Sequence, residues 1–248
     1  MSSPSPGRGL RQALLPAVHR AWQALPARCP ACGLWTRGHR CTLCLARFAA
    51  PQPRCLGCGM PRHVWCNACH DCPPASARAT QVVVGADYGL PWDGLVSRLK
   101  FQQQPELAAW LAPLLAQALD RLPVARAPVD WVVPVPLAPR RLQVRGYNQA
   151  WEVARRLAGP LGLTARPDLL LRWRDTDAQT GQDGRQARLA NLQGAFMPAP
   201  GCRDLLAGRQ VALVDDVLTT GATLRAASQA LREAGVAGVC WWVVTRTP

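Results

Sequence analysis

Two adjacent carboxylates followed by a hydroxyl-rich turn stand in the run Val211, Ala212, Leu213, Val214, Asp215, Asp216, Val217, Leu218, Thr219, Thr220, Gly221, Ala222, Thr223, Leu224. The four apolar residues that open it read as a buried parallel strand, and α/β sheets bind ligands at the carboxyl ends of such strands. The backbone N–H groups of residues 219–223, with the start of the following helix, make a cradle for a phosphate. The threonine hydroxyls add donors and Gly221 permits close approach. Two carboxylates beside such a cradle repel the anion, so phosphate binding alone does not explain them. They fit if they accept hydrogen bonds from vicinal hydroxyls, that is, from a ribose whose 5′-phosphate fills the turn. The competing reading, a buried strand leading into an ordinary helix cap, has no use for the acid pair.

A second chemistry is written in cysteine. Nine of the eleven cysteines fall between positions 29 and 72. Eight form C-x2-C pairs: Cys29 with Cys32, Cys41 with Cys44, Cys55 with Cys58, and Cys66 with Cys69. Each pair sets two thiolates on one side of a tight knuckle, and two knuckles complete a tetrahedral site for zinc. Taken in order they give two ribbons, one from the first four cysteines and one from the last four, though interleaved ligation fits the spacing too. His39, His63, His70 and Cys72 lie close enough to substitute. Four sulfur ligands leave no open coordination position, so two such Zn2+ ions would be structural. A disulfide framework is the alternative; it needs an oxidising compartment, and the N-terminus carries no continuous apolar segment of a signal peptide. The expected compartment is the cytoplasm.

The formal charge is +14, from 28 arginines and a single lysine against 15 acids. Residues 1–70 hold nine arginines and no acid. Polyanions are the partners such a balance favours. No stretch approaches the roughly 20 consecutive apolar residues of a membrane span. Nearly half of the chain is apolar, which excludes global disorder.

The elements that must position these residues follow from periodicity. The spacing predicts an amphipathic helix or loose arm within 1–28, the cysteine module at 29–74, and an α/β domain over 80–248. In that domain strands are expected at 82–88, 131–135, 210–214 and 239–245, with helices at 92–101, 106–122, 148–161 and 222–234. Strands alternating with helices predict a doubly wound parallel sheet. Residues 172–195 are polar and aperiodic, the signature of a functional loop.

The acid pair and Thr/Gly turn resemble the PRPP-binding motif of the type I phosphoribosyltransferases. Val133, Pro134, Val135, Pro136 and Leu137, then Arg140, Arg141, Arg145, Gly146, Tyr147, Asn148 and Gln149, resemble the ComF/GntX branch of that family. Thr176, Gln179, Arg188, Asn191, Gly194, Ala195 and Phe196 extend the likeness, as does the four-knuckle module with Pro73 and Pro74 after it. The resemblance implies a type I phosphoribosyltransferase-like doubly wound parallel sheet with a small N-terminal zinc-ribbon module. It implies PRPP, or another ribose 5-phosphate ligand, held by Asp215, Asp216, Thr219, Thr220, Gly221, Ala222 and Thr223, with Mg2+ accompanying it. The segment after Pro136 would be the pyrophosphate loop, and 172–196 the loop that closes over PRPP.

Transfer from PRPP needs stabilisation of departing pyrophosphate, for which Arg140, Arg141, Arg172, Arg185 and Arg188 are candidates; Arg140 and Arg188, with the acid pair, form the expected catalytic set. No acceptor site is recognisable, and a hood over the cleft would have to come from residues 1–80 or another subunit. The family is linked to natural competence and DNA uptake. This sets a non-catalytic, PRPP-responsive adaptor binding single-stranded DNA beside the enzyme reading. Trp35 and Trp65 are then stacking candidates, and Arg37, Arg40, Arg54 and Arg62 phosphate contacts.

Overall fold

The computed structural model describes residues 25–74, 78–174, 192 and 194–247. Its N-terminal part is a short antiparallel hairpin, β1 (Pro26–Arg28) with β2 (Trp35–Arg37), followed by α1 (Thr42–Phe48). The remainder runs β3 (Val82–Asp87), α2 (Trp92–Phe101), a single 3-10 turn at Pro105–Leu107, α3 (Ala108–Asp120), β4 (Trp131–Pro134), α4 (Pro139–Arg145), α5 (Gln149–Ala158), β5 (Thr164–Ala165), β6 (Leu170–Arg172), β7 (Phe196–Pro198), α6 (Arg203–Leu206), β8 (Gln210–Leu218), α7 (Ala222–Glu233) and β9 (Gly238–Arg246).

Five strands form one parallel sheet in the order β3, β9, β8, β4, β5. In β9, which is paired along both edges, Val239 through Val244 are all buried, without the alternation of a one-sided strand. Successive side chains point to opposite faces. Trp242 therefore joins the core beneath α2, α3 and α5, while Trp241 joins the core beneath α7 and donates from Nε1 to Ser228 Oγ at 2.8 Å. Helices on both faces make the sheet doubly wound, as expected.

The chain moves one way from β4 to β5 and the other way from β8 to β9, so the β4/β8 boundary is a topological switch point. The register opens a crevice there. β4 ends with Pro134 opposite Val214, and the last ladder bond to β8 runs from Val135 N to the Val214 carbonyl at 2.9 Å. β8 runs on to Leu218, paired only with β9. Asp215 and Asp216 thus belong to the strand rather than following it, with no strand partner on their β4 side.

Four short elements lie where periodicity gives no signal. These are β5, the seven-residue α4 within the expected pyrophosphate loop, and the paired β6 and β7 that flank residues 173–195. The expected closing loop falls largely outside the described residues, as do the arm before residue 25 and Arg185 and Arg188.

The cysteine module packs on the sheet domain. Cys29, Cys41, Cys44, Leu45 and Ala49 are part of the same apolar core as α2 and α3. Trp92 Nε1 donates to the Phe48 carbonyl and Gln117 Nε2 to that of Ala49, both at 2.9 Å. Leu56 extends the sheet edge by accepting from Val82 N at 2.7 Å. The Arg54 guanidinium, only 7% exposed, pairs with Asp87 at 2.8 Å. Arg54 is therefore not the surface phosphate contact its sequence position suggests; it pins the module to the end of β3. Arg62 is likewise engaged, with Asp71 at 2.5 Å. No helix among the described residues is long and apolar enough to cross a membrane.

Candidate functional site

Alternation along β8 sends Asp216 to the α2 side of the sheet and Asp215 to the α7 side. Asp216 is 4% exposed, and its Oδ1 lies 2.9 Å from Lys100 Nζ at the end of α2. Its other oxygen, Oδ2, is buried without a hydrogen-bond partner. An ionised oxygen left so costs on the order of 1–3 kcal/mol or more, a cost that a ligand hydroxyl donating to it would remove. Asp215 is half-buried, and its Oδ1 accepts from Asp216 N at 2.9 Å.

Gly221 caps the N-terminus of α7 at φ +74°, a conformation that costs an L-residue roughly 1–2 kcal/mol. A Cβ there would also meet Arg225 Nη1 at 3.1 Å and Leu218 and Trp241 at 3.3 Å. The turn is braced from outside. Arg225 donates to the Thr220 carbonyl at 2.8 Å and Arg246 to that of Thr219 at 3.2 Å, while Ala222 N donates to Thr220 Oγ1 at 3.4 Å. Beyond Ala222, the N–H groups of Thr223 and Leu224 in the first turn of α7 are left for an anion.

Asp215, Asp216, Thr219 and Thr223 line one open cleft of about 960 Å³, together with Lys100, Arg140, Arg141, Arg145 and Arg172. The structure therefore places Arg140 of the expected catalytic set on the same cleft as the acid pair. Thr220, Gly221 and Ala222 form the turn at its edge, and Arg188 lies outside the described residues. The seat is strongly cationic around two acids, which suits a ligand carrying both hydroxyls and several negative charges. No described residue of the cysteine module lines the cleft, so residues 25–74 do not form the hood expected from residues 1–80 or another subunit.

Burial and the Asp216 carboxylate beside it push Asp215 up to about 7, against the pull of Lys100. An unfolded aspartate titrates near about 3.9. The folded state thus binds this proton more tightly, so its contribution to stability is full below about pH 4 and is lost as pH rises through 7. Asp215→Asn should remove that loss. Between pH 5.5 and 8 the melting temperature of the wild type should fall relative to that of the variant. Parallel curves would contradict the assignment.

Two clusters of four cysteines are present among the described residues, each with all sulfurs within 4.8 Å of one another. The first is the expected Cys29, Cys32, Cys41 and Cys44. The second is Cys55, Cys58, Cys69 and Cys72, and so corrects the expected set: Cys66 is out and Cys72 is in. The run from 66 to 72 contains two overlapping C-x2-C pairs. Backbone pairing decides between them, because Cys66 sits in a bridge with Cys55 and its carbonyl accepts from Leu56 N at 2.7 Å.

Sulfur separations of 3.8 Å (Cys29 to Cys44), 3.7 Å (Cys32 to Cys41) and 3.6 Å (Cys58 to Cys69) match the edge of a tetrahedron with metal–sulfur bonds of about 2.3 Å. None of the cysteines is in a disulfide. Burial raises the Cys69 thiol, but the Arg62 guanidinium 2.8 Å away and the neighbouring thiols outweigh it and hold it at about 6. The donor sets fit Zn2+.

Over 215 residues the chain is 33% identical to the DNA utilization protein YhgH of Escherichia coli strain K12, spanning 84% of this chain and 90% of that protein. It is also 33% identical over 197 residues to Competence protein F of Haemophilus influenzae, spanning 78% and 85%. The chain belongs to the competence protein F family. No family model matches it. Similar solved structures include a glutamine PRPP amidotransferase from B. subtilis, with TM-score 0.35 and 22% identity over 54% of this chain and 25% of that one. An adenine phosphoribosyltransferase from Leishmania donovani has TM-score 0.33 and 18% identity over 57% and 53%.

Two residues at the sites of this competence-family chain escape the sequence reading of their roles, and a third, Cys72, reads only as a substitute ligand because the overlapping pairs favour Cys66. Arg246, which holds the Thr219 carbonyl, looks in sequence like the end of a strand. Lys100 carries one signal, that it is the only lysine.

Proposed function

We propose that this protein binds PRPP, or another ribose 5-phosphate ligand, with Mg2+, and releases pyrophosphate as it transfers the phosphoribosyl group to an acceptor. The observation that carries this reading is the buried, unpartnered Oδ2 of Asp216 in the wall of a cationic cleft, beside a glycine-capped helix start. In this reading the acid pair accepts from the ribose hydroxyls and the 219–223 turn takes the 5′-phosphate. Mg2+ supplies charge neutralisation on the diphosphate when it is bound. Arg140 and Arg141, exposed on α4, offer their forks to the departing pyrophosphate, whose negative charge grows as the bond to ribose C1 breaks. Asp215 and Asp216 orient the ribose for that step. Two structural Zn2+ ions in the four-cysteine clusters would fix the shape of the module 29–74 that packs on the 80–248 domain. The free thiols suit the reducing cytoplasm. Incubation with PRPP, Mg2+ and an acceptor, or with water as acceptor to give ribose 5-phosphate, should release pyrophosphate catalytically. Binding without any release, across a panel of nucleobase and amine acceptors, would leave a sensor rather than a transferase.

A second reading rests on a different surface. Trp35 of β2 is 70% exposed, with Arg28 opposite it in the hairpin and Arg37 two residues on, and Arg40 and Arg47 of the same module are exposed too. An exposed aromatic ring with guanidinium groups beside it is how single-stranded DNA is held without sequence choice. Trp65, by contrast, is half-buried and lines a pocket with Gln117 and Arg121 at the junction with the sheet domain. Four phosphate contacts predict that log K falls with log salt at a slope near about −3. Charge reversal at Arg28, Arg37, Arg40 and Arg47 should flatten it. A slope and affinity that survive those changes with zinc retained would move the DNA site elsewhere.

A further inference from the structure

Of 29 basic residues in this chain, 28 are arginines, and the exception is Lys100. A composition so biased makes the one lysine informative, and its place adds to that. Lys100 lies in the last turn of α2, 22% exposed, on the wall of the cleft that Arg140, Arg141 and Arg145 also line. An ammonium has three donors. Its nitrogen is ion-paired with Asp216 Oδ1 at 2.9 Å; no other partner of Lys100 is found among the described residues. Asp216 Oδ2 stays unpartnered beside it.

A guanidinium at this position would behave differently. Its planar fork engages both oxygens of a carboxylate, or bridges two carboxylates, and would occupy Oδ2. The compact ammonium takes one oxygen and leaves the other. Asp215 from its own strand and Arg145 from α4 also act on Asp216. Arg145 turns its Nη1 to Gln149 Oε1, and the ion pair with Asp216 is made by Lys100.

We propose that Lys100 is a ligand-contacting residue of this cleft: one donor fixes Asp216 so that Oδ2 is left for a ribose hydroxyl, and the other two meet the anionic oxygens of the diphosphate on the same ligand. This rests on the ribose-phosphate reading above and names the residue that joins its two halves, the hydroxyls and the leaving group.

Because Lys100 is the only lysine, an amine-acylating reagent followed by peptide mapping reads its environment directly. Saturating PRPP with Mg2+ should slow acylation at Lys100 by about tenfold or more, and saturating ribose 5-phosphate, which lacks the diphosphate, by much less. Unchanged acylation in protein that calorimetry finds saturated with PRPP would overturn the role of Lys100 alone. Failure of the wild type to bind PRPP at all would overturn the ligand reading and this proposal with it.

Variants give the second arm. Lys100→Met should weaken PRPP about ten- to a hundredfold, as expected for a lost charge-assisted contact. Lys100→Arg should keep the wild-type melting temperature yet fail to restore that affinity. Wild-type affinity in Lys100→Arg would reduce Lys100 to a counter-ion of Asp216 and refute the contact.

Discussion

Protein purified without added metal should carry two equivalents of Zn2+, and stripping them should unfold the cysteine module and destabilise the sheet domain beneath it. Metal binding by a structural site of four thiolates is worth roughly 10–16 kcal/mol, as large as the roughly 5–15 kcal/mol that stabilises a whole domain. The effect should spread because Cys29, Cys41, Cys44, Leu45 and Ala49 share one core with α2 and α3. Losing that packing also frees Arg54 from Asp87, at the carboxyl edge of the sheet. Single substitutions separate the ligands. Cys72→Ser should drop the metal content to one equivalent, whereas Cys66→Ser should retain both. The opposite pattern would return Cys66 to the site, and a metal-free protein with quantitative disulfides would refute both clusters as zinc sites.

The other large effect is expected at the acid pair. Each charge-assisted hydrogen bond to a buried carboxylate is worth roughly 1.5–3 kcal/mol, so Asp216→Ala should weaken PRPP about ten- to a hundredfold. The double Asp215→Ala, Asp216→Ala variant should weaken it further, without the melting temperature falling in step. The pair is not there for stability: Asp215 is pushed up to about 7 by burial and its neighbour, and Asp216 keeps an unsatisfied oxygen. Both are features that a fold under no functional constraint would shed. A double variant that binds as the wild type does would reject these residues as the ribose seat, wherever the ligand sits.

Much of this architecture was legible because its strands are extreme. Residues 211–214 and 239–244 are apolar without interruption, and only a strand buried on both faces tolerates that. The turn after Asp216 was legible because glycine at φ +74° and hydroxyls around it have few other uses. What was not legible depends on contacts distant in sequence. Whether Cys66 or Cys72 completes the second cluster turns on a backbone bond from Leu56. Arg54 reads as one more surface arginine until Asp87, 33 residues on, takes it. Lys100 meets Asp216 only because α2 packs on the face to which β8 turns that side chain. The short β5 and α4 carry too few residues for any period to register, and pairing alone creates them.

The account turns on whether the cleft seats a ribose phosphate. A calorimetric titration of the zinc-loaded wild type with PRPP in the presence of Mg2+ tests this most directly, with ribose 5-phosphate as competitor. The account predicts one site per chain, competition between the two ligands, and affinity that strengthens from pH 6 to 8 as Asp215 gives up its proton. Heats no different from dilution, at protein concentrations high enough to register weak binding, would contradict it.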